Sequence, residues 1–443
     1  MKKNSYKLNA CIALLCSGLS TIAQNSQTDR RICGSTELRN EFIAAHPEAQ
    51  QQQEAIEKFT ATYIEYHKRI DQNETRASKY IIPCVFHVYG TPQGGKQVTL
   101  AVIESALNEW ANKDFIGKND DYNSVHNTFK AIRDTLSISF VLAKKDPAGN
   151  PTTGVTFHPV TKGFGNATGY DDQIKADAWN NYEYMNFYIM NDLYADGNLN
   201  NSGSTTPPLT AAFDMGVARV VYNGAYLGTN AGHKEFGSVV THEIGHFLNL
   251  AHTFDLGCQS TTNDNVDDTP PVDYSPNTTC HTSPTVNTPL NCKSQLINVE
   301  NYMDYAGITG NGCYKMFTKG QVLRMKAALE TTPLKPLWQL SNLIKTGVVP
   351  GNVGLHEDVN KFCAAVYPNP GNSIFTLSLS TEHTEIFKIT VSDIIGNTVV
   401  SLQTKPVANT LTMPMDLSLL SPGVYLLFIR GNKSLETIKV IKN

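Results

Sequence analysis

The 443-residue sequence predicts an α+β (α/β-type) domain followed by an all-β sandwich domain. Apolar strand-like runs and amphipathic helical patterns mix through the first three quarters of the chain, whereas short β-runs at roughly ten-residue spacing follow Cys363. With 41% apolar residues the chain can build a sizeable core. The net charge of −4, with Lys and Arg spread along the chain, predicts no nucleic-acid partner.

The N-terminal residues 1–24 have a short cationic start and then an apolar run, which is the pattern of a signal peptide. Because no other stretch is long and apolar enough to span a bilayer, we expect an exported protein without a transmembrane segment in the mature chain. Residues 25–76 are interpreted as a polar pro-segment, with one helix predicted in "EAQQQQEAIEKFTATYIEYHKRI". The exposed stretch Asp71–Tyr80 is the expected site of its removal, with Arg76–Ala77 as the predicted cut.

Residues 77–347 are predicted to form the α+β domain. Strands are expected in "YIIPCVFHVYG", "LSISFVLAK", "EYMNFYIMND" and "ARVVYN", and helices in "VTLAVIESALNEWANKDF" and "KGQVLRMKAAL". A linker at 348–362 precedes the predicted sandwich at 363–443.

The stretch "HEIGHFLNLAH" concentrates three histidines and one glutamate. His242 and His246 are four residues apart, so on a helix they project from one face and can bind one cation, with Glu243 beside it. His252 can join them only if the helix ends first, and Asn249 is the residue best suited to the left-handed conformation of that bend. Three neutral imidazoles leave one tetrahedral position open, as a catalytic zinc site requires.

Four cysteines follow this stretch closely: Cys258, Cys280, Cys292 and Cys313. In an exported protein they predict two disulfides, and the sequence leaves three connectivities open. The acidic run "NDNVDDTPP" places Asp264, Asp267, Asp268 and Thr269 together. Hard oxygen ligands in a tight loop suit calcium, and a solvated acidic turn is the alternative.

The histidine stretch together with "NYMDY" (Asn301–Tyr305) resembles the signature of the metzincin zinc proteases, and with the "GC…DDTPP" stretch it is most similar to the pappalysin family, especially its bacterial, ulilysin-like members. The resemblance implies a twisted mixed sheet with an active-site helix. It also implies roles for individual residues: His242, His246 and His252 as zinc ligands, Glu243 as general base, Met303 as the apolar floor beneath the metal, and Tyr305 as an extra ligand or a hydrogen-bond donor to the transition state.

The resemblance also bears on the structural residues. The family usually has Gly at the position of Asn249, and Asn should be tolerated there at a cost of about 1 kcal/mol. The family's disulfide pattern implies the pairs Cys258–Cys292 and Cys280–Cys313, and its calcium-stabilised loop favours calcium at the acidic run. Basic-specific relatives carry an acidic residue shortly after the methionine turn, whereas Ala306–Cys313 contains no carboxylate, so we expect an apolar or mixed preference.

Cys33 lies in "RRICGS" within the predicted pro-segment. A thiolate is a good fourth ligand for zinc, so Cys33 could fill the open position and exclude water until the segment is removed. This resembles the cysteine-switch latency of some pappalysin relatives. A disulfide to Cys84 or Cys363, or an idle thiol, is the alternative.

The C-terminal motifs "YPNPGNSIFTLSL", "VSDIIGNTVV" and "MDLSLLSPGVYLLFIRG" resemble a type IX secretion sorting domain. The resemblance implies export by the type IX secretion machinery to the medium or the cell surface. An adhesion or carbohydrate-binding sandwich is the alternative, although no tryptophan follows Trp338 to serve as a sugar platform.

The sequence therefore predicts a secreted zinc (Zn2+) metalloendopeptidase, made as a latent zymogen, that hydrolyses peptide bonds in protein or peptide substrates. A surface adhesin or binding protein that keeps the metal as a structural element is the rival. A purely structural zinc site has no need of an open position or of a base such as Glu243.

Overall fold

The computed structural model describes residues 33–70, 80–160, 171–191, 193, 203–227, 234–260, 264–274, 278–287, 289–306, 312–349, 362–381, 386–393, 397–405, 410–431 and 435–443. The predicted signal peptide, the predicted cut at Arg76–Ala77 and nearly all of the predicted linker lie outside these residues. The chain divides into two compact units between Gly351 and Asn352. Among the described helices, none has the length and apolar character needed to cross a bilayer.

The described part of the predicted pro-segment contains two helices, α1 (Ser35–Ala45) and α2 (Pro47–Ile70), where the sequence predicted one. Pro47 explains the break, because its ring suits the first turn of a new helix and cannot continue the preceding one. The apolar side chains Leu38 and Phe42 of α1 are buried. The pro-segment is therefore packed onto the rest of the first unit.

A mixed six-stranded sheet forms the centre of the first unit. Its strands are β1 (Tyr80–Tyr89), β3 (Ile138–Leu142), β4 (Val155–His158), β5 (Met185–Ile189), β6 (Gly203–Thr205) and β7 (Val220–Tyr222), and a separate ladder joins β2 (Arg133–Asp134) to β8 (Phe317–Thr318). The order is β3-β1-β5-β7-β6, with β4 also pairing with β1. All pairs in the main sheet are parallel except β6 with β7, so β6 is an antiparallel strand at the edge.

The helices of the first unit cover this sheet. They are α3 (Leu100–Ser105), which continues through a π-helical turn (Ala106–Ala111) into α4 (Asn112–Phe115), then α5 (Asn127–Lys130), α6 (Asp171–Asp177), α7 (Thr210–Asp214), α8 (Lys234–Phe247), α9 (Lys319–Leu329) and α10 (Leu340–Lys345), with 3-10 turns at Tyr122–Ser124 and Lys335–Trp338. Helix α9 begins with a capping box between Thr318 and Gln321. The predicted α+β class with a mixed sheet is confirmed.

Two disulfides cross-link the largely irregular segment between α8 and β8. Cys258 pairs with Cys292, and Cys280 pairs with Cys313. This is the pairing that the resemblance implies. Cys33 and Cys84 are both free and buried, so they do not form a disulfide with each other.

Where the structure describes the second unit, it has seven antiparallel strands in two sheets. They are β9 (Phe362–Tyr367), β10 (Ile374–Thr381), β11 (Phe387–Asp393), β12 (Thr398–Thr404), β13 (Thr410–Asp416), β14 (Gly423–Arg430) and β15 (Leu435–Lys442). One sheet has the order β13-β10-β9 and the other β12-β11-β14-β15. Alternate residues such as Phe375, Leu377, Ile389 and Leu427 are fully buried in a shared core. The predicted all-β sandwich is confirmed.

Candidate metal centre

The centre is built on the C-terminal end of α8, where His242 and His246 lie one turn apart. The helix ends in a Schellman motif, in which Leu250 N donates to Gly245 O at 3.0 Å and Asn249 N donates to His246 O at 2.9 Å. Asn249 has a φ of 67°, the left-handed conformation that the sequence predicts for the bend. The bend turns the chain back, so that His252 faces the two helical histidines.

The three Nε2 atoms converge: His246 Nε2 lies 3.1 Å from His242 Nε2 and 3.0 Å from His252 Nε2. Each Nδ1 has its own acceptor outside the group: Tyr302 O for His242 at 2.6 Å, Leu250 O for His246 at 2.8 Å, and Asp255 Oδ1 for His252 at 3.0 Å. Because each Nδ1 donates outward, the three Nε2 lone pairs face one another. Such an arrangement fits a shared cation.

Burial also favours the neutral form of these rings. His242, His246 and His252 are 3%, 6% and 2% exposed. Burial, with a smaller contribution from the charge of His252, lowers the pKa of His242 to about 3, and the same two causes lower the pKa of His246 well below its ordinary value. Neutral imidazole is the form that binds zinc, so the donor set fits that metal.

Glu243 is fully buried beside the histidines. Its Oε2 accepts hydrogen bonds from Thr205 Oγ1 at 2.9 Å and Ser35 Oγ at 3.2 Å, and Cys33 Sγ lies 3.6 Å away. Its Oε1 is buried and has no hydrogen-bond partner among the described residues. Burial raises the pKa of this carboxyl to about 7, although the hydrogen bonds from Thr205 and Cys33 oppose the rise. A carboxylate with such a pKa suits proton transfer near neutral pH.

Met303 and Tyr305 both lie against this group. Met303 is fully buried, and a Cβ added to Gly245 of α8 would lie 2.5 Å from its Sδ, so the thioether packs directly under the helix. The hydroxyl of Tyr305 lies 2.9 Å from His252 Nε2. Burial, together with the nearby Cys33 and Glu243, raises the pKa of Tyr305 well above its ordinary value, so its hydroxyl remains a donor.

The pro-segment runs directly over the metal centre. Cys33 Sγ and one ring nitrogen from each of the three histidines all lie within 4.8 Å of one another. Gly34 N donates to Gly203 O of β6 at 3.1 Å, Ser35 Oγ accepts from Thr205 N at 2.8 Å, and Tyr305 OH donates to Cys33 O at 3.1 Å. Burial and the charge of Glu243 raise the pKa of the Cys33 thiol well above its ordinary value. A cation at the centre would favour the thiolate instead.

The four residues predicted to bind calcium do not converge. Asp264 Oδ1 accepts from Thr269 Oγ1 at 2.6 Å, Asp267 pairs with Lys68 at 2.9 Å, and Asp268 Oδ2 accepts from Gly320 N at 3.0 Å. Among the described residues, the three carboxylates do not form a group of potential ligands within 4.8 Å of one another. One buried oxygen each of Asp264 and Asp268 lacks a hydrogen-bond partner there. Calcium at this loop therefore stays a prediction.

Two contributors to the centre were missed by sequence reasoning, Thr205 and Asp255. Thr205 lies on β6, and its contact with Glu243 depends on the close approach of β6 to α8. A Cβ at Gly203 would lie 2.5 Å from Val221 O and 2.9 Å from Glu243 Cγ, so Gly is needed for this approach. Asp255, three residues after His252, orients that ring, and its position on the same turn was the available signal.

Two family models match the chain. Residues 168–330 match the peptidase M43 model, described as "Pregnancy-associated plasma protein-A", and residues 365–443 match the model described as "Secretion system C-terminal sorting domain". The sorting domain makes this an exported protein, either secreted or retained at the cell surface.

Solved structures agree with the first match. A promirolysin mutant from Tannerella forsythia superposes with a TM-score of 0.53 at 26% identity, covering 72% of this chain and 99% of that chain. Mature mirolysin from the same organism, in complex with a cleaved peptide, gives a TM-score of 0.51 at 27% identity, covering 61% of this chain and 99% of that chain.

Curated relatives match over a shorter stretch. An extracellular metalloprotease of Podospora anserina is 28% identical over 211 residues, which is 46% of this chain and 64% of the relative. An extracellular metalloprotease of Neurospora crassa is 36% identical over 151 residues, which is 32% of this chain and 47% of the relative. The chain therefore spans less than two thirds of the length of these relatives.

Proposed function

We propose that this pappalysin-family metalloprotease with a secretion sorting domain hydrolyses internal peptide bonds of protein substrates with one zinc ion, and that it is made as a latent zymogen. The observation that carries the proposal is the convergence of three histidine Nε2 atoms beside a buried carboxylate that has one unpartnered oxygen. This combination supplies a metal with an open position and a base next to it.

His242, His246 and His252 would hold the zinc. When bound there, zinc lowers the pKa of a water molecule and polarises the carbonyl of the bond to be cut. The outward hydrogen bonds of the three Nδ1 atoms keep the rings in the tautomer that offers Nε2 to the metal. Asp255 has the further role of supporting His252 with a carboxylate.

Glu243 acts as the general base. Thr205 and the edge strand β6 hold Oε2, which leaves Oε1 to accept a proton from the attacking water and to deliver it to the leaving amine. A buried carboxyl with a pKa near 7 can perform both transfers at neutral pH. Tyr305 stays protonated and donates a hydrogen bond to the carbonyl oxygen as negative charge develops on it.

Cys33 maintains latency. Its Sγ lies with the three ring nitrogens, so the thiolate would occupy the position that water needs. Ser35 and Cys33 also contact Oε2 of the base. Removal of the pro-segment would free both the metal position and the base.

Calcium is a second predicted cation for the loop that contains Asp264 and Asp268. Two buried carboxylate oxygens without a hydrogen-bond partner, one of Asp264 and one of Asp268, support calcium binding. The separation of the three carboxylates does not support it. Addition of calcium to chelator-treated protein should raise Tm in the wild type and not in Asp264→Asn. Equal shifts in both proteins would exclude this loop as the site.

The test of the main proposal is casein cleavage by the activated full-length protein. Cleavage should be lost on zinc chelation and restored by added zinc, and Glu243→Ala should abolish cleavage while metal analysis still finds one zinc per chain. Cleavage that survives both treatments would remove the mechanism. A zinc-loaded protein with no cleavage of any substrate would favour the rival reading as a binding protein with a structural metal.

A further inference from the structure

A partly buried ion pair joins the predicted pro-segment to the catalytic unit close to the candidate metal centre. Arg324 of α9 is 4% exposed, and both terminal nitrogens of its guanidinium donate to the carboxylate of Glu57 of α2, with Nη1 at 2.8 Å from Oε2 and Nη2 in contact with Oε1. Asn249 Nδ2 also approaches Glu57 Oε1, at 3.4 Å. One carboxylate of the pro-segment is therefore held by two donors of the catalytic unit.

These donors are held in place independently of Glu57. Arg324 Nε donates to the carbonyl oxygen of Asn249 at 2.7 Å, which fixes the plane of the guanidinium against the bend that follows the helical zinc ligands. The left-handed φ of 67° fixes the backbone of Asn249. A glycine at this position would provide the bend without the amide donor.

The donor pair opens onto the same space as the metal centre. Arg324, Asn249 and His246 line one cavity of about 220 Å³, together with Thr205 of the edge strand. The pro-segment residues that line it include Ser35 and Glu57, and Ser35 belongs to the stretch that pairs with β6 over the metal centre. A peptide that replaces the pro-segment over the metal centre can therefore reach the guanidinium.

We propose that Arg324 and Asn249 form a carboxylate-binding subsite for the substrate, which Glu57 occupies in the latent protein. This inference rests on the proposed hydrolytic function. A guanidinium presents paired donors that match a carboxylate in geometry, and the bond from Arg324 Nε to Asn249 O does not involve the pro-segment, so removal of Glu57 leaves an oriented site for a new carboxylate. The substrate class is a peptide that carries either an acidic side chain or a C-terminal carboxylate at this position.

Besides Glu57 of the predicted pro-segment, Asp255 is the acidic residue among the described ones that lines this cavity. Its two oxygens already accept from His252 N and Nδ1, at 3.2 and 3.0 Å. It would repel a substrate carboxylate from the side of His252. The acceptance of negative charge is therefore confined to the part of the cavity that Arg324 lines.

The test uses full-length protein, activated by limited proteolysis, and matched internally quenched peptides. One series places Glu or Gln at each position in turn on both sides of the cut, and a second pair differs only in a C-terminal acid or amide. We expect kcat/KM for the carboxylate form to exceed that for the amide form by about tenfold in one arm, a ratio that corresponds to roughly 1.4 kcal/mol. The peptide set that shows this ratio tells whether the subsite binds an acidic side chain or a C-terminal carboxylate.

Variants connect that preference to the two donors. Arg324→Gln should reduce the ratio to about one, and Asn249→Gly, which keeps the left-handed backbone, should lower it about threefold. Lys326→Gln, which removes a cation from the same helix, should leave the ratio unchanged. If Arg324→Gln fails to fold, Asn249→Gly alone decides.

Two outcomes would overturn the subsite. The first is equal kcat/KM for carboxylate and amide peptides in both peptide sets. The second is a preference for the carboxylate that persists in Arg324→Gln and Asn249→Gly. In both cases peptide hydrolysis itself would stand. If wild-type protein cleaves none of the peptides, or if cleavage survives Glu243→Ala, the hydrolytic function fails and the subsite fails with it.

Discussion

The hydroxyl of Tyr305 donates a hydrogen bond to the main-chain carbonyl of Cys33 at 3.1 Å. In the proposed mechanism, the carbonyl of a substrate would replace the carbonyl of Cys33 as the acceptor for this phenol. The same hydroxyl lies 2.9 Å from His252 Nε2, so it is within reach of the metal position. In that mechanism Tyr305 would be the donor that meets the developing oxyanion.

Tyr305→Phe should lower kcat of the activated protein by roughly 10²-fold, the usual cost of losing one oxyanion donor. KM should change little, because the donor acts mainly in the transition state. The ring contact with Phe254, at 4.7 Å between centroids, does not depend on the hydroxyl, so zinc content and Tm should match the wild type. Loss of zinc together with activity would instead assign Tyr305 to metal binding.

Cys33→Ala should make the unprocessed protein active, because alanine cannot occupy the fourth position on the metal. We expect the casein-cleaving rate of the full-length chain to rise by at least about tenfold, measured before any cut appears on a gel. Cys84→Ala is the matched control, since Cys84 of β1 is also free and buried. Unchanged latency in Cys33→Ala would exclude the switch.

The sequence was informative where local rules decide the structure. The spacing of His242 and His246, the bend at Asn249 and the clustering of four cysteines each follow from neighbouring residues, and the structure has the helix, the bend and two disulfides. Thr205 is different, because its three-residue strand has no periodic pattern and its contact with Glu243 arises from pairing with β7.

The same reasoning applies to the pro-segment. No local pattern links Glu57 to Arg324, which lie far apart in the sequence and meet only through the packing of α2 against α9. The helix predicted from Glu48 corresponds to α2, which begins at Pro47 because proline favours a helix start, whereas α1 was not predicted. The pairing of Glu57 with Arg324 could not have been predicted, because it depends on contacts between distant parts of the chain.

Asp114 should make stability depend on pH. It is 4% exposed and accepts from Thr241 Oγ1 of α8 at 2.7 Å, and burial raises its pKa from 3.8 to about 7. Because the folded state holds the proton more tightly, this group contributes stability that is present below pH 3.8 and is lost as the pH rises to about 7.

Asp114→Asn should remove this pH-dependent loss of stability, because asparagine does not ionise, and its amide oxygen still accepts from Thr241. The free energy of unfolding of the variant, relative to the wild type, should therefore rise between pH 4 and pH 7, by at most about 4 kcal/mol. Urea denaturation at several pH values measures it. Asp120→Asn, which changes an exposed carboxylate, should show no such trend, and a flat difference for Asp114→Asn would contradict the raised pKa.

Gly245→Ala should destabilise the protein through Met303. An added Cβ would lie 2.5 Å from Met303 Sδ, and both residues are enclosed beneath the metal centre, so the thioether must move. Overpacking of this kind costs about 1–3 kcal/mol, which a shift of the urea midpoint at constant m would measure. Met303→Ala alone should cost more, because it leaves a cavity under α8. In the double variant the new methyl group enters that cavity. The combined loss of unfolding free energy should therefore be smaller than the sum of the two single losses by about 1 kcal/mol. Additive losses would mean that Met303 does not support the helix.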